Sequence, residues 1–142
     1  MKPEVGSFLA KARKSLLEAR AVVGINLTEA AGRAAYFAAY HTAQALIFDR
    51  SGKVAKTHSG VRSEFSRLTK EDPAIDREFS VFLGQAFMFK VIADYEIETG
   101  SGLPRERVQD GIATAARFID HVTALVQPPA ASAPEPTSDP SA

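Results

Sequence analysis

The chain has 142 residues, no cysteine, and 17 basic residues balanced by 17 acidic ones. That length suits one domain with a real core. The missing cysteine excludes disulfides, thiolate zinc sites and a Cys nucleophile, and the zero net charge excludes a global field that would gather nucleic acid. His41, His58 and His121 fall in different predicted elements without HxxxH or HExxH spacing, so we expect neither a metal nor a cofactor. The first 15 residues carry no apolar signal-like run. No segment approaches the roughly 18 apolar residues of a membrane span, and the expected location is the cytoplasm.

In chain order, the first predicted helix covers about Pro3 to Val23. Pro3 suits its first turn, Phe8, Leu9, Ala12, Leu16, Ala19 and Val23 form its apolar stripe, and Gly24 ends it. A second helix, about Leu27 to Asp49, should be about 35 Å long. Asn26 with Glu29 reads as its capping box and Ser51-Gly52 as its left-handed exit. Arg33, Tyr36, Phe37, Tyr40, Gln44, Ile47 and Phe48 gather on one side of it, and Ala31, Ala35, Ala38, Ala39 and Thr42 on the other. Neither side is a normal solvated face, so this helix should be enclosed nearly all round. Arg33, His41 and Gln44 must then find partners in the bundle or lie at an opening.

From Arg50 to Lys70, six Lys or Arg residues face one acid, Glu64; from Glu71 to Glu78 the balance reverses. The basic run fits either a phosphate-bearing partner or an ordinary solvated helix surface. A third helix should start near Thr57 or Ser59 and turn Val61, Phe65 and Leu68 inward as far as Lys70. In Lys56-Thr57-His58-Ser59-Gly60, a His and a Lys at a helix start could hold an anion, or could be plain loop residues. Asp72-Pro73 reads as the start of a fourth helix running to about Glu98. Phe79, Leu83, Ala86, Phe87, Lys90, Asp94 and Ile97 share one sector of it. Lys90 and Asp94, four apart, are either a pair at the core rim or a charged pair facing a groove. Thr99 to Gly102 breaks the helix. Pro104 opens a fifth, with Val108, Ile112, Ala115, Phe118, Ile119, Val122 and Leu125 inside. Residues 127–142 hold five of the eight prolines and no aromatic, which reads as a disordered tail. The expected fold is therefore all-α, an up-and-down bundle of about five helices over residues 1–126. There is no internal repeat, P-loop, GxGxxG, GxSxG or catalytic carboxylate pair.

Three blocks in order, GRAAYFAAYHTAQALIF, KTHSGVRSEF and FKVIADYE, resemble the small bacterial HEPN proteins, over about Leu16 to Val126. The resemblance implies a five-helix bundle that often forms a homodimer. It also implies a genomic partnership with minimal nucleotidyltransferases in toxin–antitoxin or defence modules. Many members of the family are metal-independent ribonucleases, with an Arg, four to six residues and a His on a late helix that meets its copy across the dimer. In this chain the Arg position carries Lys90, and Tyr95 stands five residues on, preceded by Asp94. No His occurs between His58 and His121, so the motif is altered at both ends. Lys90, Asp94 and Tyr95 take the catalytic positions by this correspondence, and Tyr95 is the nearest equivalent of the tyrosine that partner nucleotidyltransferases modify. Arg33, His41, Lys56, His58 and Arg62 are the remaining candidates to bind RNA or a nucleotide. The expected function is RNA or nucleotide binding in an inter-helix groove, with weak or degenerate ribonuclease activity. The alternative is a non-catalytic interaction module or nucleotide sensor that binds a partner protein.

Overall fold

The computed structural model describes residues 1–95 and 102–127. Five helices follow one another: α1 Pro3–Val23, α2 Thr28–Ser51, α3 His58–Thr69, α4 Arg77–Tyr95 and α5 Arg105–Val126. The expected all-α bundle is what forms. α1 buries Val5, Leu9, Ala12, Leu16, Ala19 and Val23, a stripe at helical spacing, and the backbone N–H of Gly24 closes it on Val22.

α2 is the axis of the bundle and touches each of the other four helices. Its alanine side (Ala31, Ala35, Ala38, Ala39) and its aromatic side (Tyr36, Tyr40) are both buried, as their composition requires. Small residues let the neighbours come close. A Cβ on Gly32 would stand 2.8 Å from Leu103, and one on Gly111 of α5 would stand 2.6 Å from Phe89 of α4. Gly52 takes the left-handed exit at φ 72°, its N–H bonded to Phe48 O at 2.8 Å.

The start of α2 differs from expectation. Its N-cap is Leu27, without a side-chain cap, and Asn26 sits one residue earlier at φ 65°. Asn tolerates this left-handed conformation, so it turns the chain instead of capping the helix. The start of α3 agrees, since Thr57 Oγ1 accepts the Gly60 N–H at 2.9 Å.

Asp72-Pro73 also behaves differently, because it builds a turn and the helix begins four residues later. One Asp72 oxygen accepts the Ala74 N–H at 2.8 Å and the other accepts Arg50 at 2.7 Å, tying the turn to the end of α2. Ile75 then buries itself, and Asp76, accepting the Glu78 N–H at 2.9 Å, is the cap that starts α4. α4 sends Phe79, Phe82, Leu83, Ala86 and Phe89 into the core, where Phe79 stacks on Phe118 of α5 with centroids 4.8 Å apart. α5 buries Val108, Ile112, Ala115, Phe118, Ile119 and Val122 as expected, with Val126 buried and Leu125 half-buried at its end. The expected end of α4 at Glu98, its residue Ile97, the break at Thr99 to Ser101 and the tail beyond Gln127 lie outside the described residues. Among the described residues no helix is long and apolar enough to cross a membrane.

Candidate functional site

Helical spacing puts Arg33, Tyr36, Phe37 and Tyr40 of α2 on one face, toward the start of α3 and the last two turns of α4. His58, the first residue of α3, sits among their rings. Its ring centroid lies 5.4 Å from Tyr36, 5.9 Å from Phe37, 5.1 Å from Tyr40 and 5.6 Å from Phe87 of α4. The Arg62 guanidinium, one turn further along α3, lies 4.3 Å above the Phe87 ring.

The charged rim closes across α2 and α4. Arg33 Nε donates to Asp94 Oδ1 at 3.0 Å, and Lys90 Nζ donates to Asp94 Oδ2. The pair spaced four apart on α4 is thus real, and it carries a third member, from a helix 61 residues away in sequence. Lys90 is the most enclosed of the three, with 18% of its side chain exposed. Hydrogen bonds from Lys90 and then Arg33 hold the Asp94 carboxyl below the usual carboxylate range, so it is ionised at neutral pH. The rim therefore carries three cations, Arg33, Arg62 and Lys90, against one carboxylate.

One hydrogen bond sets the chemistry of His58. Its Nδ1 lies 2.7 Å from the Tyr36 hydroxyl. Tyr36 is wholly buried, and burial, reinforced by Tyr40, raises its phenol far above the ordinary value, so it keeps its proton. Among the described residues that hydroxyl has no other partner. A buried donor left unpaired costs more than a ring nitrogen sharing its lone pair, so Tyr36 donates and Nδ1 accepts. Neutral His58 then carries its proton on Nε2. Burial, followed by Lys90 and Arg62, pushes the His58 pKa down against the opposing pull of Asp94, so the ring is neutral at pH 7. The site consequently presents donors: the two guanidiniums, the ammonium and an imidazole N–H. Arg62 Nε is buried without any hydrogen-bond partner, the one such side-chain atom among the described residues.

The remaining candidates lie at the edge of this group, the His41 ring being 5.4 Å from Tyr40 and 6.0 Å from Phe37 while its ring nitrogen bonds elsewhere. His41 turns to its own helix, with Nδ1 2.8 Å from Gln44 Oε1, and Gln44 Nε2 in turn donates to Ala55 O at 2.8 Å. That chain holds the loop before α3, and burial lowers the His41 pKa. Lys56 enters through its backbone, its carbonyl accepting the Tyr40 hydroxyl at 2.6 Å, while the residue itself is exposed. Tyr95 follows Asp94 and is 78% exposed.

Sequence reading missed Tyr36, Tyr40 and Phe87 as parts of the site. Their helical spacing marked them as core, and nothing local to the sequence pairs Tyr36 with a His 22 residues on. Two clefts lie elsewhere. One, about 440 Å³, runs between α4 and α5 past Met88, Phe89 and Arg107; the other, about 900 Å³, runs along the end of α3 and the start of α4. Neither cleft is lined by Arg33, His58, Arg62, Lys90 or Asp94, so the His58 group lies at the surface where α2, α3 and α4 meet and not inside the inter-helix groove expected from the sequence. Among the described residues no three His, Asp or Glu side chains are placed to hold a metal.

No curated protein matches this chain. A family model, that of the HEPN domain, matches residues 5–125, nearly all of the five helices just described, and the chain belongs to the HEPN domain family.

Proposed function

We propose that the chain is the RNA- or nucleotide-binding component of a two-component module of the toxin–antitoxin or defence type. In this reading its partner is a minimal nucleotidyltransferase and its working form is a homodimer. The binding surface is the one around His58. The observation that carries this is the clustering of three cations, Arg33, Arg62 and Lys90, around the His58 ring against the single carboxylate of Asp94. Phosphate oxygens are the complement of such a cluster of cations.

Metal-independent cleavage would need a group to take the 2′-hydroxyl proton. Asp94 is ionised but held by two cations, and neutral His58 is protonated on Nε2, so the reading favours binding, with cleavage weak. Fluorescence anisotropy with a labelled tetrauridine tests it. Lys90→Ala and Arg62→Ala should each weaken binding by about tenfold, as loss of a charge-assisted contact does. Unchanged affinity in both would refute this surface. Incubation of RNA with the purified protein in chelator, beside Lys90→Ala and Asp94→Ala, tests the enzyme claim; no cleavage, or cleavage indifferent to both changes, removes it.

A second reading, a non-catalytic module or nucleotide sensor docking a partner protein, draws on the mutual pairing of Arg33, Lys90 and Asp94, which satisfies much of the rim's charge internally. Thermal stabilisation by mononucleotides without any oligonucleotide binding would favour the sensor.

A further inference from the structure

α3 and α4 run antiparallel, and the seam between them leads away from the His58 group. At the end nearer His58, Arg62 lies on Phe87. One turn further along α3, Ser66 Oγ meets Ser80 Oγ of α4 at 2.9 Å. Beyond that contact the seam opens into the cleft of about 900 Å³, whose walls carry Arg67, Lys70 and Arg77 beside Ser63, Ser66 and Ser80. Of the nearby acids, Glu64 is held by Arg67, Asp72 by Arg50 and Glu78 by Arg117, leaving Glu71 and Asp76, the latter accepting the Glu78 N–H. Among the described residues Lys70 and Arg77 have no carboxylate at ion-pair distance.

Gly84 lies between these two cationic ends. It shares a face of α4 with Ser80 and Phe87, and a Cβ added there would meet no atom within 4 Å. Packing therefore does not demand glycine at this helix-interior position, where glycine costs stability. Its effect is to keep the seam low between Arg62 and the cleft.

We propose that the α3–α4 seam is a second binding surface, a track for the phosphodiester backbone of single-stranded RNA continuing from the His58 group. This rests on the His58 group being an RNA site. Arg77 and Lys90 are 13 residues apart on α4, a span of about 20 Å, enough for up to about six nucleotides stacked at 3.4 Å. Arg62 serves as the junction, while Lys70 and Arg77 hold the phosphates at the far end and the serine hydroxyls donate between them.

The experiment compares fluorescein-labelled oligouridines of four and twelve nucleotides by anisotropy across a salt series. The full-length protein should bind the longer strand about tenfold more tightly, and with a steeper salt slope. Lys70→Gln with Arg77→Gln should leave tetrauridine affinity unchanged while lowering the salt slope for the longer strand by about 1.4, two phosphates at about 0.7 each. Gly84→Glu, which places a side chain and a negative charge in the seam, should abolish the length gain, whereas Gly84→Ala keeps it. Retained tetrauridine binding shows that each variant is folded. A length gain that survives both the double variant and Gly84→Glu, or one absent from the unaltered protein while tetrauridine binds, overturns the track alone. Tetrauridine binding indifferent to Lys90→Ala and Arg62→Ala overturns the His58 surface, and failure of both strands to bind removes both surfaces.

Discussion

His58 stays neutral in the folded protein because burial and three neighbouring cations oppose a further positive charge. In the unfolded chain it titrates near its ordinary value of about 6.5. A pKa depressed on folding means that the unfolded chain binds more protons as pH drops below that value, so stability is lost as pH falls through about 6.5 and levels off below the folded pKa. His41, also depressed by burial, adds in the same sense. The melting temperature should therefore fall between pH 7.5 and pH 5.5, and His58→Asn should flatten that limb. Binding should move the other way, because protonated His58 becomes a fourth cation: tetrauridine affinity should rise over the same interval, and less so in His58→Asn. Tyr36→Phe removes one buried hydroxyl and nothing else from the core. It should cost about 1 kcal/mol in urea unfolding, the ordinary worth of a hydrogen bond, and a loss of fold instead would mean that the hydroxyl holds more of the core than one bond.

At the level of the elements, two glycines make opposite predictions. Gly84→Ala adds a methyl group to open space in a helix interior and should stabilise the protein by about 0.5–1 kcal/mol. Gly52→Ala also meets no neighbour, yet its φ of 72° forces a left-handed alanine and should destabilise by about 1 kcal/mol. Urea midpoints with unchanged slopes measure both. The helices themselves were legible for the same kind of local reason. Repeating apolar positions drew the stripes of α1 and α5, and Gly24, Gly52 and Thr57 marked ends that the backbone could not disguise. Asp72-Pro73 misled because a capping signal states only that a carboxylate will accept a nearby N–H. Whether helix or turn follows depended on Arg50, two elements away, and on the burial of Ile75.

For the molecule as a whole, legibility stopped where partners are distant in sequence. Lys90 with Asp94 could be read, since both sit on one helix; Arg33 is expected near them from the sequence, but its direct bond to Asp94 across 61 positions is not readable there, and neither is Tyr36 reaching His58. Periodicity supplies direction around a helix but not which helix stands opposite. For that reason the sequence alone does not separate His41 from His58, although the ring nitrogen of His41 bonds Gln44. The same arrangement bears on motion. Two carbonyls of the α2–α3 connection, those of Ala55 and Lys56, hang from side chains of α2. The chain entering His58 is thus moored to the most enclosed rod in the bundle, and the imidazole cannot drift until that rod frays. Deuterium uptake at the Gly60 and Val61 amides should accordingly be slow, and Gln44→Ala should quicken it without melting the bundle.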